Sequence, residues 1–195
     1  MDKELIKQQV KESIRTKQLV MEDDSIITKV IEIANQCISS LQSGRKIIFC
    51  GNGGSFADAQ HLSAEFTSRF MFDRPALASI ALGTNSSGMT AMGNDYGYEN
   101  VFSRELEAVA KPDDVFIAIT TSGNSPNILK AVDVGRGLGI KTYIFTGNSG
   151  GKLANQADCL CIPSDDTARI QECHIMIGHI VCGLVEKEIF QDYAI

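Results

Sequence analysis

The sequence predicts an α/β protein built on one parallel five-stranded sheet flanked by helices, and three observations carry that expectation. From Lys46 onward, short apolar segments alternate with helical ones. Strands separated by helices lie parallel and are covered on both faces, the architecture of a single α/β domain. The segments richest in glycine and in hydroxyl residues each follow an apolar run directly, where open parallel sheets bind ligands.

The elements follow in order. Leu5, Ile6, Val10 and Ile14 fall at helical spacing, so a first helix opens the chain. Asp24-Ser25 caps a second helix running to Ser43-Gly44, with Ile26, Ile27, Val30, Ile31, Ala34, Ile38 and Leu41 spread over a wide apolar face. A face that wide suits packing on a partner subunit as well as on the chain's own sheet. Ile47 to Cys50 is a buried strand, and a helix from Phe56 to Phe70 follows its glycine turn. Ala76 to Leu82 is the next strand, and Met89 to Ala110 holds helical pieces broken near Gly93-Asn94-Asp95. Val115 to Thr120 is a strand, followed by a helix to Leu138 and the strand Thr142 to Thr146. Cys159 to Pro163 is the last strand and Thr167 to Phe190 the last helix.

Composition narrows the function. A chain of 195 residues, 44% hydrophobic and 22% charged, is a soluble globular protein of one domain with helical extensions. It has no apolar run of membrane-spanning length, and the charged start Met1-Asp2-Lys3-Glu4 lacks the apolar centre of a signal peptide. The expected location is cytoplasmic. The six cysteines (37, 50, 159, 161, 173 and 182) form no Cys-x-x-Cys pair and read as buried, reduced thiols. A net charge of −6 without any basic run argues against a nucleic-acid surface.

Two loops carry the chemistry. After the strand ending at Thr120, Thr121, Ser122 and Ser125 supply hydroxyls around Gly123, and a helix starts at Pro126 with Ser125 as its cap. Hydroxyls and free N–H groups at a helix N-terminus hold a phosphate without lysine or arginine. Gly51-Asn52-Gly53-Gly54-Ser55 is a second strand-to-helix turn, and it fits neither the dinucleotide fingerprint nor the P-loop. On the helix that follows, His61 and Glu65 share a face. Such a pair is either a surface ion pair or two ligands of one divalent metal, with zinc the usual choice. Gln171 and His179 point to similar sides of the last helix but lie ~12 Å apart along it. One metal meets both only if long side chains converge or different subunits contribute. His174 lies on another face and reads as structural.

These residues resemble the phosphosugar-binding SIS domain, whose hydroxyl loop Thr120 to Ser125 matches without a gap. Nearly the whole chain is similar to the phosphoheptose isomerase family within it. The similarity runs through Cys50 to Ser55, Asp58 to His61, Ala64-Glu65, Gly93 to Asp95, Phe102 to Arg104, Thr146-Gly147 and Ala168 to Glu172. The resemblance implies a flavodoxin-like SIS domain over residues 45–195, with the helices of 1–44 belonging to the same domain and to an oligomer interface. It implies one zinc per subunit held by His61, Glu65, Gln171 and His179. Asn52, Gly53, Gly54, Ser55, Glu65, Asn94, Asp95, Thr120, Thr121, Ser122, Ser125 and Gln171 would contact the sugar phosphate.

The implied reaction converts D-sedoheptulose 7-phosphate to D-glycero-D-manno-heptose 7-phosphate, the first step of nucleotide-activated heptose biosynthesis, in a homotetramer. Moving a proton between C1 and C2 needs a base near both carbons, for which Glu65 is the candidate, with His179 as acid. The metal and base roles compete for Glu65. Some family members carry Asp where this chain has Ala168, with Asp165 and Asp166 nearby. The alternative is a non-catalytic SIS protein that binds the replication initiator, which replaces the histidine matching His179. A sugar-phosphate-sensing regulator would need a DNA-binding segment, and a pentose or hexose phosphate isomerase fits the long N-terminal helices less well.

Overall fold

The computed structural model describes residues 2–191, so Met1 and positions 192–195 lie outside the described residues. Helices α1 (Lys3–Glu22) and α2 (Asp24–Gln42) lead into five strands, separated by α-helices except for the last two, which a 3-10 turn at Gly151–Leu153 joins. Asp2 caps α1 by accepting from the Glu4 N–H. Asp23, one residue before the expected cap, accepts from Ser25 and Ile26 to start α2. The strands are β1 (Ile47–Gly51), β2 (Ser79–Ala81), β3 (Val115–Ile119), β4 (Lys141–Gly147) and β5 (Asp158–Ile162). Between and after them run α3 (Gly54–Thr67), α4 (Ser86–Tyr96), α5 (Val101–Val109), α6 (Pro126–Gly137) and α7 (Thr167–Ile189).

The five strands form one parallel sheet in the order β2-β1-β3-β4-β5. All five residues of β1 and of β3 are buried, which is why both read as continuous apolar runs. Phe49, Ile117, Phe145 and Leu160 face one core with residues of α2, α3 and α7. Ile48, Phe116, Ala118 and Ile144 face the other with α5 and α6. The chain therefore leaves β1 toward one face and β3 toward the other. A crevice opens where neighbouring strands send their connections to opposite sides, here at the carboxyl ends of β1 and β3.

Three expectations change. The helix around Gly93-Asn94-Asp95 is unbroken to Tyr96 and ends instead at Gly97, whose φ of 85° only glycine adopts readily. Strand β2 is three residues long because Ala76 to Ala78 precede the ladder with Ile47 to Phe49. Cys37, Cys50, Cys173 and Cys182 are buried, but Cys159 and Cys161 on the edge strand β5 are half-exposed. Among the described residues no helix is long and apolar enough to cross a membrane.

The wide face of α2 is mostly covered, with Ile27 and Ile31 left exposed. The larger uncovered stripe lies on α1, where Leu5, Ile6, Val10 and Ile14 are each at least 54% exposed.

Candidate active site between the first and last sheet helices

Helices α3 and α7 start from the carboxyl end of the sheet and run side by side. Gln171 lies against Gly54, Gly178 against Leu62 and Gly183 against Phe70, so the two helices keep step. This pairing brings His61 and His179 together with Nε2 atoms 2.8 Å apart, and Glu65 Oε1 stands 3.2 Å from His61 Nε2. One nitrogen from each imidazole and one Glu65 oxygen all lie within 4.8 Å of one another. The donor set, two imidazoles and a carboxylate, is one that zinc takes with a coordination position to spare.

The cluster has a built support. The Phe70 ring stacks on the His179 ring at 5.4 Å between centroids and lies beside Gly183. Glu186 accepts from the N–H groups of Phe70 and Met71 and pairs with Arg74 at 2.9 Å. Arg74 in turn donates to the carbonyls of Glu65, Phe66, Ser68 and Pro75. Both charged side chains are 1% exposed, so the pair is fully desolvated and its partners are all satisfied within the protein. Sequence reasoning missed Arg74 and Glu186, because a lone pair of opposite charges 112 residues apart carries no local signal.

Gln171 sits elsewhere. Its side-chain amide lies against Gly54 at the glycine loop, two turns of α7 from His179. Within one chain the imidazole and carboxylate donors meet without it. The distance along α3 from Gly54 to His61 is also ~10 Å. Glu65 thus lies beyond His61, away from the glycine loop rather than beside it.

The hydroxyl loop divides. Thr120 is buried at the end of β3, where its N–H bonds the Phe145 carbonyl. Thr121 and Ser122 line a cleft of about 240 Å³ with Asn124, Gly147, Asn148, Ser164 and Asp165. Ser125 lines a second, of about 540 Å³, with Asn52, Tyr98, Asn127 and Lys130. Ser125 precedes α6 as expected, but its side chain makes no cap hydrogen bond, so the hydroxyl remains available to a ligand. Gly123 has φ 64°, and a Cβ there would collide with the Gly150 carbonyl, which fixes this loop against the β4 exit.

Asn52 is part of the second cleft, Gly53 and Gly54 are exposed at the mouth of α3, and Ser55 is buried under it. Asn94 and Asp95 are exposed on α4, bonded to each other at 2.8 Å, and border neither cleft. Asp165 lines the first cleft, while Asp166 caps α7 by accepting from Ala168 and Arg169. His174 is fully buried with Nε2 3.1 Å from the Thr146 carbonyl, and burial holds its pKa down to about 4. It is a neutral structural histidine.

Comparisons with known proteins establish the family. Residues 10–147 match the model of the SIS domain family. The phosphoheptose isomerase of Sulfurimonas denitrificans is 50% identical over 97% of this chain and 98% of its own. A phosphoheptose isomerase structure from Francisella tularensis superposes with a TM-score of 0.89 at 34% identity, over 94% of this chain and 97% of its own. One from Neisseria gonorrhoeae gives 0.87 at 38%, over 94% and 98%. The chain belongs to the SIS-domain family and, within it, to the phosphoheptose isomerases.

Proposed function

We propose that this protein is a phosphoheptose isomerase interconverting D-sedoheptulose 7-phosphate and D-glycero-D-manno-heptose 7-phosphate, opening the route to a nucleotide-activated heptose. The observation that carries the reading is the meeting of Glu65 with His61 and His179 on paired helices of a phosphoheptose isomerase fold.

The phosphate binds at the hydroxyl loop before α6, where Thr121 and Ser122 line one cleft and Ser125 the other, aided by backbone N–H groups and the helix dipole. With that end fixed, Glu65 takes the proton from C1 of the open-chain ketose and returns it to C2. His179 gives a proton to O2 as the C2 carbonyl becomes a hydroxyl, and it takes up the O1 proton in return as C1 becomes the aldehyde. Atoms and charge balance, and no redox partner is needed. His61, Glu65 and His179 are the residues that would hold zinc, one per subunit. Bound there, zinc supplies a Lewis acid that polarises the sugar carbonyl and orients its hydroxyls. Glu65 Oε1 faces His61, so ligand and base roles can be divided between its two oxygens.

We also propose a cytoplasmic homotetramer with sites at subunit interfaces. The apolar stripe on α1 supports this, as do Met71, Ile180 and Leu184, which stay exposed beside the His179–Phe70 stack. Six unpaired cysteines suit a reducing compartment.

The test is incubation of the purified protein with sedoheptulose 7-phosphate. Formation of the aldoheptose 7-phosphate is the expected result, and an unchanged ketose with zinc bound would refute the assignment. Metal analysis of His61→Ala and His179→Ala should show zinc lost, whereas full occupancy in both would remove them as ligands. Light scattering should give a tetramer, and a fully active species of about 21 kDa would refute the interfacial sites.

A further inference from the structure

The crevice between β1 and β3 contains a polar pair that the reaction chemistry does not use. Asn127, the second residue of α6, is 3% exposed and spends its side chain on Asn52 in the glycine loop. Asn127 Nδ2 donates to Asn52 Oδ1 at 2.8 Å, and Asn52 Nδ2 donates back to Asn127 Oδ1 at 2.8 Å. Tyr98 Oη donates to the same Asn52 oxygen at 3.2 Å.

A carboxamide oxygen accepts two hydrogen bonds and its nitrogen donates two. The Asn52 oxygen is therefore saturated, and one Asn52 N–H remains to be offered. Asn52 and Ser125 line the same cleft, at the start of α6. The network thus fixes Asn52 as a donor, the polarity that a phosphate or sugar oxygen requires. The pair also ties the glycine loop after β1 to the hydroxyl loop before α6, which otherwise leave the sheet toward opposite faces.

We infer that Asn127 is a positioning residue: it locks Asn52 in a donor-only orientation toward the anionic end of the substrate and couples the two loops that bind it. The inference rests on the proposed placement of the sugar phosphate at these loops. Asn127 touches no reacting atom.

The test compares Asn127→Asp, Asn127→Ser and Asn52→Ala in the full-length protein. Asp keeps the acceptor for Asn52 but cannot donate to its oxygen, while Ser is too short for either bond. In both Asn127 variants KM for sedoheptulose 7-phosphate and the inhibition constant for inorganic phosphate should rise together by about tenfold, the effect of one misdirected hydrogen bond to a charged group. The rate at saturation and the zinc content should stay near those of the parent. Unchanged KM in folded Asn127 variants overturns the positioning role. So does a KM rise accompanied by loss of zinc and of the rate at saturation, which marks a structural role alone. If Asn127→Ser does not fold, Tyr98→Phe removes the other donor to the same oxygen, and it must raise KM for the inference to stand. Asn52→Ala separates the two claims. A raised KM there with silent Asn127 variants removes only the positioning role, whereas an unchanged KM removes the placement of the phosphate and the inference with it.

Discussion

At the carboxyl ends of β1 and β3 the groups offered to a ligand are hydroxyls, amides and backbone N–H groups. Two turns along α3 they are two imidazoles and a carboxylate. The first region offers an anion mainly groups that do not titrate, with Asp165 at the edge of one cleft and Lys130 at the edge of the other. The second can exchange protons and hold a metal, and it is braced by a desolvated Arg74–Glu186 pair that the first region lacks. Binding and chemistry are therefore separable by mutation, and the contrast fails wherever a change in one region moves the other's observable.

The largest expected effect is in the titrating region. Glu65→Gln should lower turnover by at least about a thousandfold with the fold intact, the upper range for a lost general base. Near-parental turnover, with circular dichroism unchanged, would remove Glu65 as the base.

The brace comes next. Arg74→Ala or Glu186→Ala leaves a buried, unpaired charge and should cost about 3–5 kcal/mol in urea unfolding. Replacing both with Met and Leu should cost less than the sum of the singles. Loss of zinc before loss of fold in the single variants would show that the brace serves the imidazole cluster in particular.

A smaller effect concerns pH. His174 has its pKa held down to about 4 from the ordinary 6.5 by burial, so the unfolded chain takes up this proton first as pH falls. Its contribution is fully favourable above pH 6.5, declines between 6.5 and 4, and levels off below, a total of about 3 kcal/mol. His174→Gln should flatten the stability-against-pH curve in that window, and an unchanged slope would mean the imidazole is charged in the folded state.

The smallest belongs to the hydroxyl loop. Ser122→Ala and Ser125→Ala should each weaken substrate binding by about 1.5–3 kcal/mol, read in KM. Because the two hydroxyls face different clefts, the one whose loss leaves inhibition by inorganic phosphate unchanged is not a phosphate ligand.

Much of this was readable from residue order. Buried parallel strands are continuous apolar runs, so β1 and β3 stand out within a residue or so of their observed limits. His61 and Glu65 share a helix face by spacing alone, and the hydroxyl loop announces itself by composition. What stayed hidden depends on contacts between distant segments. The approach of His179 to His61 was implied by the family resemblance but not by spacing, because it needs Gly178 beside Leu62, a contact between helices more than a hundred residues apart. The helix end at Gly97 was missed because Gly93 is the earlier glycine, and only the φ of Gly97 shows which one turns the chain. The separate facings of Ser122 and Ser125 come from the turn at Gly123 pressed against Gly150.

The distribution of sulfur turns this protein into its own opening gauge. Burial pushes the thiols of Cys37, Cys50, Cys173 and Cys182 upward, that of Cys37 to about 12, so they carry almost no thiolate while the core is closed. Cys161, half-exposed on the edge strand close to Cys159, is instead shifted downward by that neighbour. A thiol reagent at neutral pH will mark β5 in the closed molecule. The other four are reached only when the layer under α2 and α7 or the centre of the sheet parts, and the lag between the two phases of labelling measures the free energy of that parting.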